Sequence, residues 1–246
     1  GIDDLTAAGF EVLTTTVAQE QLENFINTEN IVALLVRSAT TVRQDLIDAC
    51  PGLKIIGRGG VGMDNIDVSY AREKGLSVIN TPAASSESVA ELVFAHLFSG
   101  VRFLYDSNRN MPLDGEKKFK NLKKAYAKGT ELRGKTLGVI GFGRIGQATA
   151  KMALGLGMKV IAFDPFMEKT TISLAFFDGQ TIDFEIKTVS KETVLKESDF
   201  ITLHVPAQKD FVIGEAELDM MKEGAALINA ARGGVVNEVA LVAALD

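Results

Sequence analysis

Three closely spaced glycines are the first residues in this chain that could do chemistry. In Thr136-Leu-Gly-Val-Ile-Gly141-Phe-Gly143-Arg-Ile-Gly146 an apolar strand runs straight into a glycine-rich turn, and a helix-forming stretch follows. A second apolar run, residues 159–163, ends at Asp164, close to the spacing of about 20 residues at which an acidic side chain meets a nucleotide ribose. Gly141 would let the chain turn tightly, and Gly143 would let backbone approach a pyrophosphate. Gly146 would let the helix lie close on the strand, so that the helix start offers unbonded N–H groups and a partial positive charge to phosphates. Asp164 would accept hydrogen bonds from the adenosine ribose hydroxyls and repel a 2′-phosphate, so NAD is expected rather than NADP. The competing reading is an ordinary βα turn, with Asp164 opening an Asp-Pro turn.

Two more loops carry unusual residues. Val36-Arg37-Ser38-Ala-Thr40 follows a strand-like run, as does Gly57-Arg58-Gly-Gly60-Val61-Gly62-Met-Asp64-Asn65. Loops at the carboxyl ends of parallel strands are where α/β domains bind ligands. Glycines this close can aim successive N–H groups at a carboxylate. Two guanidinium groups beside such a nest, Arg37 and Arg58, suit a doubly anionic ligand with a carboxylate and a phosphate. Equally, both arginines can be surface ion-pair residues over a plain turn. A third loop, Asn229-Ala-Ala231-Arg232-Gly233-Gly234, places a guanidinium where it can grip a carboxylate and polarise a keto oxygen during hydride transfer. A helix-start salt bridge is the alternative there.

The elements that must hold these loops alternate between strand and helix. Residues 11–16 and 31–36 read as strands, with a helix through 19–26 between them. Residues 42–49 read as a helix, 54–57 as a strand, 68–74 as a short helix closed by Gly75, and 77–80 as a strand. Such alternation implies a parallel sheet covered by helices on both faces. Asn80-Thr-Pro-Ala-Ala84 reads as a domain boundary, residues 85–104 as a long apolar helix, and 105–135 as polar and irregular. After the glycine turn, 200–204 and 225–229 read as further strands. Two doubly wound α/β domains are expected, a substrate-binding one near 1–81 and a nucleotide-binding one over 82–246, with a cleft between them. Both ends look cut: residues 1–8 read as a helix ended by Gly9 with no strand ahead of it. Residues 237–246 read as a helix with Leu241 and Leu245 on its apolar face, stopping without a cap.

Composition narrows the partners. The 246 residues are 46% hydrophobic and 24% charged, ordinary for a globular protein. The longest apolar run, 31–36, is far too short to cross a bilayer, and the opening residues show no signal-peptide pattern. A net charge of −6 argues against nucleic acid, and the lysines at 117, 118, 120, 123, 124 and 128 read as a solvated face or loop. Cys50 is the single cysteine, which excludes a disulfide framework and a thiolate metal site and suggests a reducing cytoplasm. No metal site is expected.

Taken in order, Val-Arg-Ser-Ala-Thr (36–40), Gly-Arg-Gly-Gly-Val-Gly-Met-Asp-Asn-Ile-Asp (57–67), Asn-Thr-Pro (80–82), Gly-Phe-Gly-Arg-Ile-Gly (141–146) and Asn-Ala-Ala-Arg-Gly-Gly-Val-Val (229–236) resemble the D-isomer-specific 2-hydroxyacid dehydrogenases. The two arginine loops make the chain most similar to the members that act on a phosphorylated glycerate. The resemblance spans nearly the whole chain. It implies a flavodoxin-like substrate lobe, a Rossmann-type NAD lobe, and a homodimer built on the long helix and the segment after residue 84. It also implies roles for residues. Arg232 matches the catalytic arginine. Arg37, Ser38 and Arg58 match substrate and phosphate contacts, and Val61-Gly62 the substrate-carboxylate cradle. Arg144 and Ile145 match the pyrophosphate loop, Val205-Pro206 the adenine wall, and Ala230 a small residue beside the cofactor.

One departure matters. Family members use a histidine as general acid and base, oriented by a glutamate, and both lie beyond the arginine loop in a segment not among these residues. Of the two histidines present, His96 reads as a packed helix residue and His204 as an adenine-side or structural one. The expected reaction is NAD-dependent oxidation of 3-phospho-D-glycerate to 3-phosphohydroxypyruvate, the entry to serine synthesis. The alternatives are another D-2-hydroxy acid (glycerate, hydroxypyruvate or lactate) or a non-catalytic NAD-sensing regulator.

Overall fold

A computed structural model describes residues 1–245, and its backbone divides between Ala84 and Ser85 into two units, each with its own parallel sheet. The first unit runs α1 (Ile2–Ala7), a 3-10 turn (Gln19–Gln21), α2 (Leu22–Thr28), β1 (Ala33–Val36), α3 (Gln44–Ala49), β2 (Ile55–Arg58), α4 (Val68–Glu73) and β3 (Ser77–Asn80). Strand order is β1-β2-β3, with Leu34, Ile56 and Val78 in register across it. Because side chains alternate along a strand, these three share a face, and with Val36 they pack against Leu22 and Ile26 of α2, Leu46 and Ile47 of α3 and Ala71 of α4.

Two expectations change in this unit. Residues 11–16 form no strand, because no neighbouring backbone pairs with them and a strand exists only through its ladder. Helical cover on both faces is absent among the described residues: Leu35 and Ile79 on the opposite face are 61% and 57% exposed. Same-handed crossovers that advance one strand at a time deliver every helix to one side. On the bare side Leu35 lies across Gly57, whose missing Cβ would meet its Cδ2 at 2.5 Å.

The second unit runs α5 (Ser86–Val101), α6 (Leu104–Tyr126), β4 (Thr136–Ile140), α7 (Arg144–Gly155), β5 (Lys159–Phe163), β6 (Lys169–Ala175), β7 (Thr181–Lys187), α8 (Lys191–Glu197), β8 (Phe200–Leu203), α9 (Glu215–Asp219), β9 (Ala226–Asn229) and α10 (Glu238–Leu245). Its parallel sheet has the order β5-β4-β8-β9, so strand order reverses between β4 and β8. Both faces are covered here. Leu137 and Val139 of β4 pack with Val93, Phe94 and Leu97 of α5 and with Ala150 and Ala153 of α7. Ile140, Ile201 and Leu203 face Val194 and Leu195 of α8 on the other side. Val139, Ile201 and Leu203 are wholly buried, each such side chain contributing roughly 1.5–3 kcal/mol. This is the Rossmann-type arrangement of an α/β protein.

The segment expected to be irregular, 105–135, is mostly helix. In α6, Asp106 accepts a hydrogen bond from the Asn110 amide and Asp114 pairs with Lys118 at 2.8 Å, each one helical turn apart. Pro112 lies inside it and the helix kinks at Lys118. Its polar composition reads as loop, and α6 buries no residue. A hairpin, β6–β7, turns at Asp178-Gly179 where no element is expected from the sequence; Gly179 has φ +86°, which suits glycine. At the chain's end Asn237 caps α10, its Oδ1 accepting from the N–H groups of Val239 and Ala240. Leu241 of that helix packs on the second core while Leu245 is exposed, and Asp246 lies outside the described residues.

Candidate functional site

The carboxyl ends of β4 and β8 flank the point where strand order reverses, the place where open α/β sheets bind ligands. There β4 ends at Ile140 and α7 begins at Arg144, with Gly143 as an extended N-cap that lends no side chain. Each glycine of the turn meets a distinct constraint. Gly141 has φ +91°, and a Cβ on it would sit 2.6 Å from the His204 carbonyl oxygen. A Cβ on Gly146 would sit 2.2 Å from the Gly141 oxygen, so helix and strand meet backbone to backbone. Above Gly143 there is open space, with nothing within 4 Å of the Cβ position. The N–H groups of Arg144, Ile145 and Gly146 donate to no group among the described residues, and Arg144 is exposed. A pyrophosphate needs open room over a glycine and a cluster of free donors at a helix start, and both are present.

Asp164 follows β5. One carboxylate oxygen accepts from the Phe142 N–H at 2.8 Å and the other from the Phe166 N–H at 2.9 Å. These two bonds fix the carboxylate beside the turn, and each oxygen keeps a further lone pair for a ribose hydroxyl. The site residues therefore fit a dinucleotide. Gln147 also braces the turn, its Nε2 donating to the Phe142 oxygen at 2.9 Å; nothing in the sequence marks it.

Val205 and Pro206 continue from β8 over this turn, Val205 Cγ1 lying 3.1 Å from the Gly141 Cβ position. His204 is placed less openly. Its Nε2 lies 3.2 Å from Thr149 Oγ1 and 3.1 Å from Thr202 Oγ1, and its Nδ1 is buried with no partner among the described residues. Burial pushes the imidazole down to about 4, so the ring is neutral near pH 7. His96 is exposed on α5 rather than packed: Val93, Phe94 and Leu97 turn to the core and leave position 96 outward.

The loop after β9 is shaped by Asn229. Its Oδ1 accepts from the Ala231 N–H and its Nδ2 donates to the Arg232 oxygen at 3.0 Å, an Asx turn that fixes the arginine's backbone. Arg232 is half-buried, and its Nη1 donates to the Ala231 oxygen at 2.8 Å. Ala230 packs against the α5–α7 core.

In the first unit the two arginine loops sit side by side. Val36 and Arg58 are register partners, so Arg37 and Gly59 leave neighbouring strand ends, and the Arg37 stem runs 3.7 Å from the Gly59 Cβ position. Asn65 stitches the loops together by donating to the Arg37 oxygen at 3.0 Å and the Thr40 oxygen at 2.6 Å, while Asn80 holds the Val61 oxygen at 2.8 Å. Arg37 and Ser38 are exposed, and the Arg37 guanidinium has no partner among the described residues. Arg58 folds back, Nη1 donating to the Gly59 oxygen at 3.0 Å and the guanidinium covering Gly60, with Nε buried and unbonded. The N–H groups of Val61 and Gly62 donate to nothing among the described residues, which leaves two open donors beside two cations. No group of metal-ligating side chains occurs among the described residues, and no helix there is long and apolar enough to cross a membrane.

The family described as D-isomer specific 2-hydroxyacid dehydrogenase, NAD binding domain, matches residues 94–246. A hydroxypyruvate reductase of Thermotoga maritima is 43% identical over 94% of this chain and 70% of its own length. A D-3-phosphoglycerate dehydrogenase of Methanocaldococcus jannaschii is 41% identical over 96% of this chain, which spans 42% of that protein. Among solved structures, D-lactate dehydrogenase from Aquifex aeolicus, complexed with NAD and lactic acid, superposes with a TM-score of 0.72 at 31% identity, covering 99% of this chain and 69% of that one.

Proposed function

We propose a reaction for this protein from one premise: the chain belongs to the D-isomer-specific 2-hydroxyacid dehydrogenases and carries their NAD-binding domain. The reaction is oxidation of 3-phospho-D-glycerate to 3-phosphohydroxypyruvate, in a cytoplasmic protein. The observation that carries it is the pair of guanidinium groups, Arg37 and Arg58, beside the open N–H groups of Val61 and Gly62. A carboxylate suits the two N–H donors, and a phosphate suits the arginines and the Ser38 hydroxyl.

NAD, when bound, supplies the hydride acceptor. Arg144, Ile145 and Gly146 hold its pyrophosphate through backbone N–H groups, Asp164 its ribose, and Val205-Pro206 its adenine, with Ala230 leaving room beside it. Arg232 steadies the substrate carboxylate and the oxygen at C2 as that oxygen becomes a carbonyl. The hydroxyl proton goes to the histidine general base that the resemblance implies in a segment not among these residues. Neither His96 nor His204 takes it, since one is exposed on α5 and the other has Nε2 bonded to threonines and Nδ1 buried. Replacing Arg37 with alanine removes a charged contact, for which a loss of about 1.5 kcal/mol corresponds to a KM for phosphoglycerate raised roughly tenfold. An unchanged KM would refute the phosphate assignment.

A second reading keeps the chemistry and drops the phosphate. It is favoured by Arg58, whose Nη1 is already committed to Gly59, and by the likeness to a hydroxypyruvate reductase. Equal activity on hydroxypyruvate, glycerate and phosphoglycerate would select it. Binding of NAD without turnover of any of these by the whole protein would select the regulator instead. The assembly we propose is a homodimer through α5 and α6, where Leu113 is 83% exposed on a helix that buries nothing in its own chain.

A further inference from the structure

His204 sits at the hub of a hydrogen-bond chain that joins the end of β8 to the first turn of α7. Thr149 Oγ1 lies 2.9 Å from the Ile145 carbonyl oxygen and gives its only proton there. Its lone pairs then face His204 Nε2 at 3.2 Å, which fixes the Nε2–H tautomer, with Thr202 Oγ1 sharing the same proton at 3.1 Å. Both threonines are fully buried, and His204's own N–H is tied to the Ile140 oxygen at 2.8 Å. The imidazole is therefore wedged between β8 and α7, while the His204 carbonyl oxygen crowds Gly141. Nε2 is committed to the threonines, and Nδ1 is buried.

Resting on the cofactor reading above, we propose that His204 is a positioning residue: through Thr149 it holds the first turn of α7, and so the N–H groups of Arg144, Ile145 and Gly146, where the dinucleotide phosphates bind. Ile145 carries a pyrophosphate donor on its nitrogen and the Thr149 contact on its carbonyl, so a shift of one moves the other. The ring's contribution reaches the cofactor through the helix. It is distinct from the adenine-side contact made by Val205 and Pro206.

The test measures the NADH dissociation constant by fluorescence titration and the Tm of the cofactor-free protein for four variants. Losing one net hydrogen bond corresponds to a change of about tenfold in affinity, so His204→Leu and Thr149→Val are each expected to weaken NADH by roughly that factor. The double variant is expected to be no weaker than either single one, because the same strut is cut once. His204→Gln, whose amide nitrogen reaches the same hydroxyls, is expected to bind within about twofold of the unsubstituted chain. Lowered Tm with unchanged NADH affinity would make the cluster merely structural and overturn the proposal, as would additive losses in the double variant. Should His204→Leu fail to fold, weakened binding by Thr149→Val with normal binding by His204→Gln supports the strut, and unchanged binding by Thr149→Val refutes it. If the unsubstituted chain binds no NADH, the cofactor reading itself falls and this inference with it.

Discussion

Gly143 and Gly146 stand one helical turn apart, and the structure assigns them opposite sensitivities to the same added methyl group. In Gly146→Ala the new Cβ would lie 2.2 Å from the Gly141 carbonyl oxygen and 3.1 Å from Val139 Cγ1. Real contacts of this kind lie beyond 3 Å, so α7 must retreat from β4 by about 1 Å, and neither neighbour in the turn is a flexible side-chain end. Overpacking of this sort costs about 1–3 kcal/mol. In a chain of this size each kcal/mol lowers Tm by roughly 2–4 °C, so a fall of roughly 2–12 °C is expected without cofactor. Gly143→Ala meets nothing within 4 Å and keeps an ordinary φ of −71°. Alanine is a poorer N-cap by about 0.5–1 kcal/mol, an effect offset by the smaller freedom of the unfolded chain, of about 0.4–1 kcal/mol. Its Tm should therefore stay within about 2 °C of the original, while its methyl group fills the room a pyrophosphate needs. NADH affinity should drop in both variants, by about tenfold or more for a loss of 1.4 kcal/mol. Differential scanning fluorimetry with and without NADH reads both quantities. A Gly146→Ala protein as stable as the original, or a Gly143→Ala protein with intact NADH affinity, would refute the reasoning.

Two other expectations concern charge. Burial lowers the His204 imidazole from 6.5 to about 4, so well above pH 6.5 it is neutral whether folded or unfolded and adds no pH dependence. As pH falls from 6.5 toward 4 the unfolded chain takes up a proton that the folded chain refuses, which removes up to about 3 kcal/mol of stability. Urea titrations across that window should show a steeper loss for the original chain than for His204→Gln, and parallel curves would overturn the assignment. Asp164→Asn keeps an acceptor but loses the charge that would repel a 2′-phosphate. NADH should bind roughly tenfold more weakly and the discrimination against NADPH should narrow, read as the ratio of the two dissociation constants; an unaltered ratio would remove Asp164 from cofactor choice.

The glycine-rich turn was legible in the sequence because most of its determinants are local. Gly146 answers to a close approach within the same strand–turn–helix unit, and Gly141 to its own φ of +91° as well as to the distant His204 carbonyl. Gly143 leaves open room at the helix start, and Asp164 ends a strand that pairs directly with β4. Strand and helix periodicity likewise located β2, β3, α5 and β8 to within a few residues. Residues 11–16 carry a plausible strand pattern, yet whether a strand exists depends on a partner supplied from elsewhere in the chain. Segment 105–135 reads as loop because α6 is rich in charged and polar residues and carries Pro112 and Gly115 inside it, which are breaker signals when read locally. His204's partner Thr149 is 55 positions away, and no spacing rule connects them. The fold-back of Arg58 onto Gly59 is similarly a matter of which carbonyl happens to lie within reach. Sequence determined where backbone could bend and which stretches bury an apolar face, since those follow from each residue's own sterics and its near neighbours. Tertiary structure alone decided which polar groups are already satisfied and which remain open to a ligand, because a hydrogen bond depends on ångström-scale distances that only the assembled chain defines.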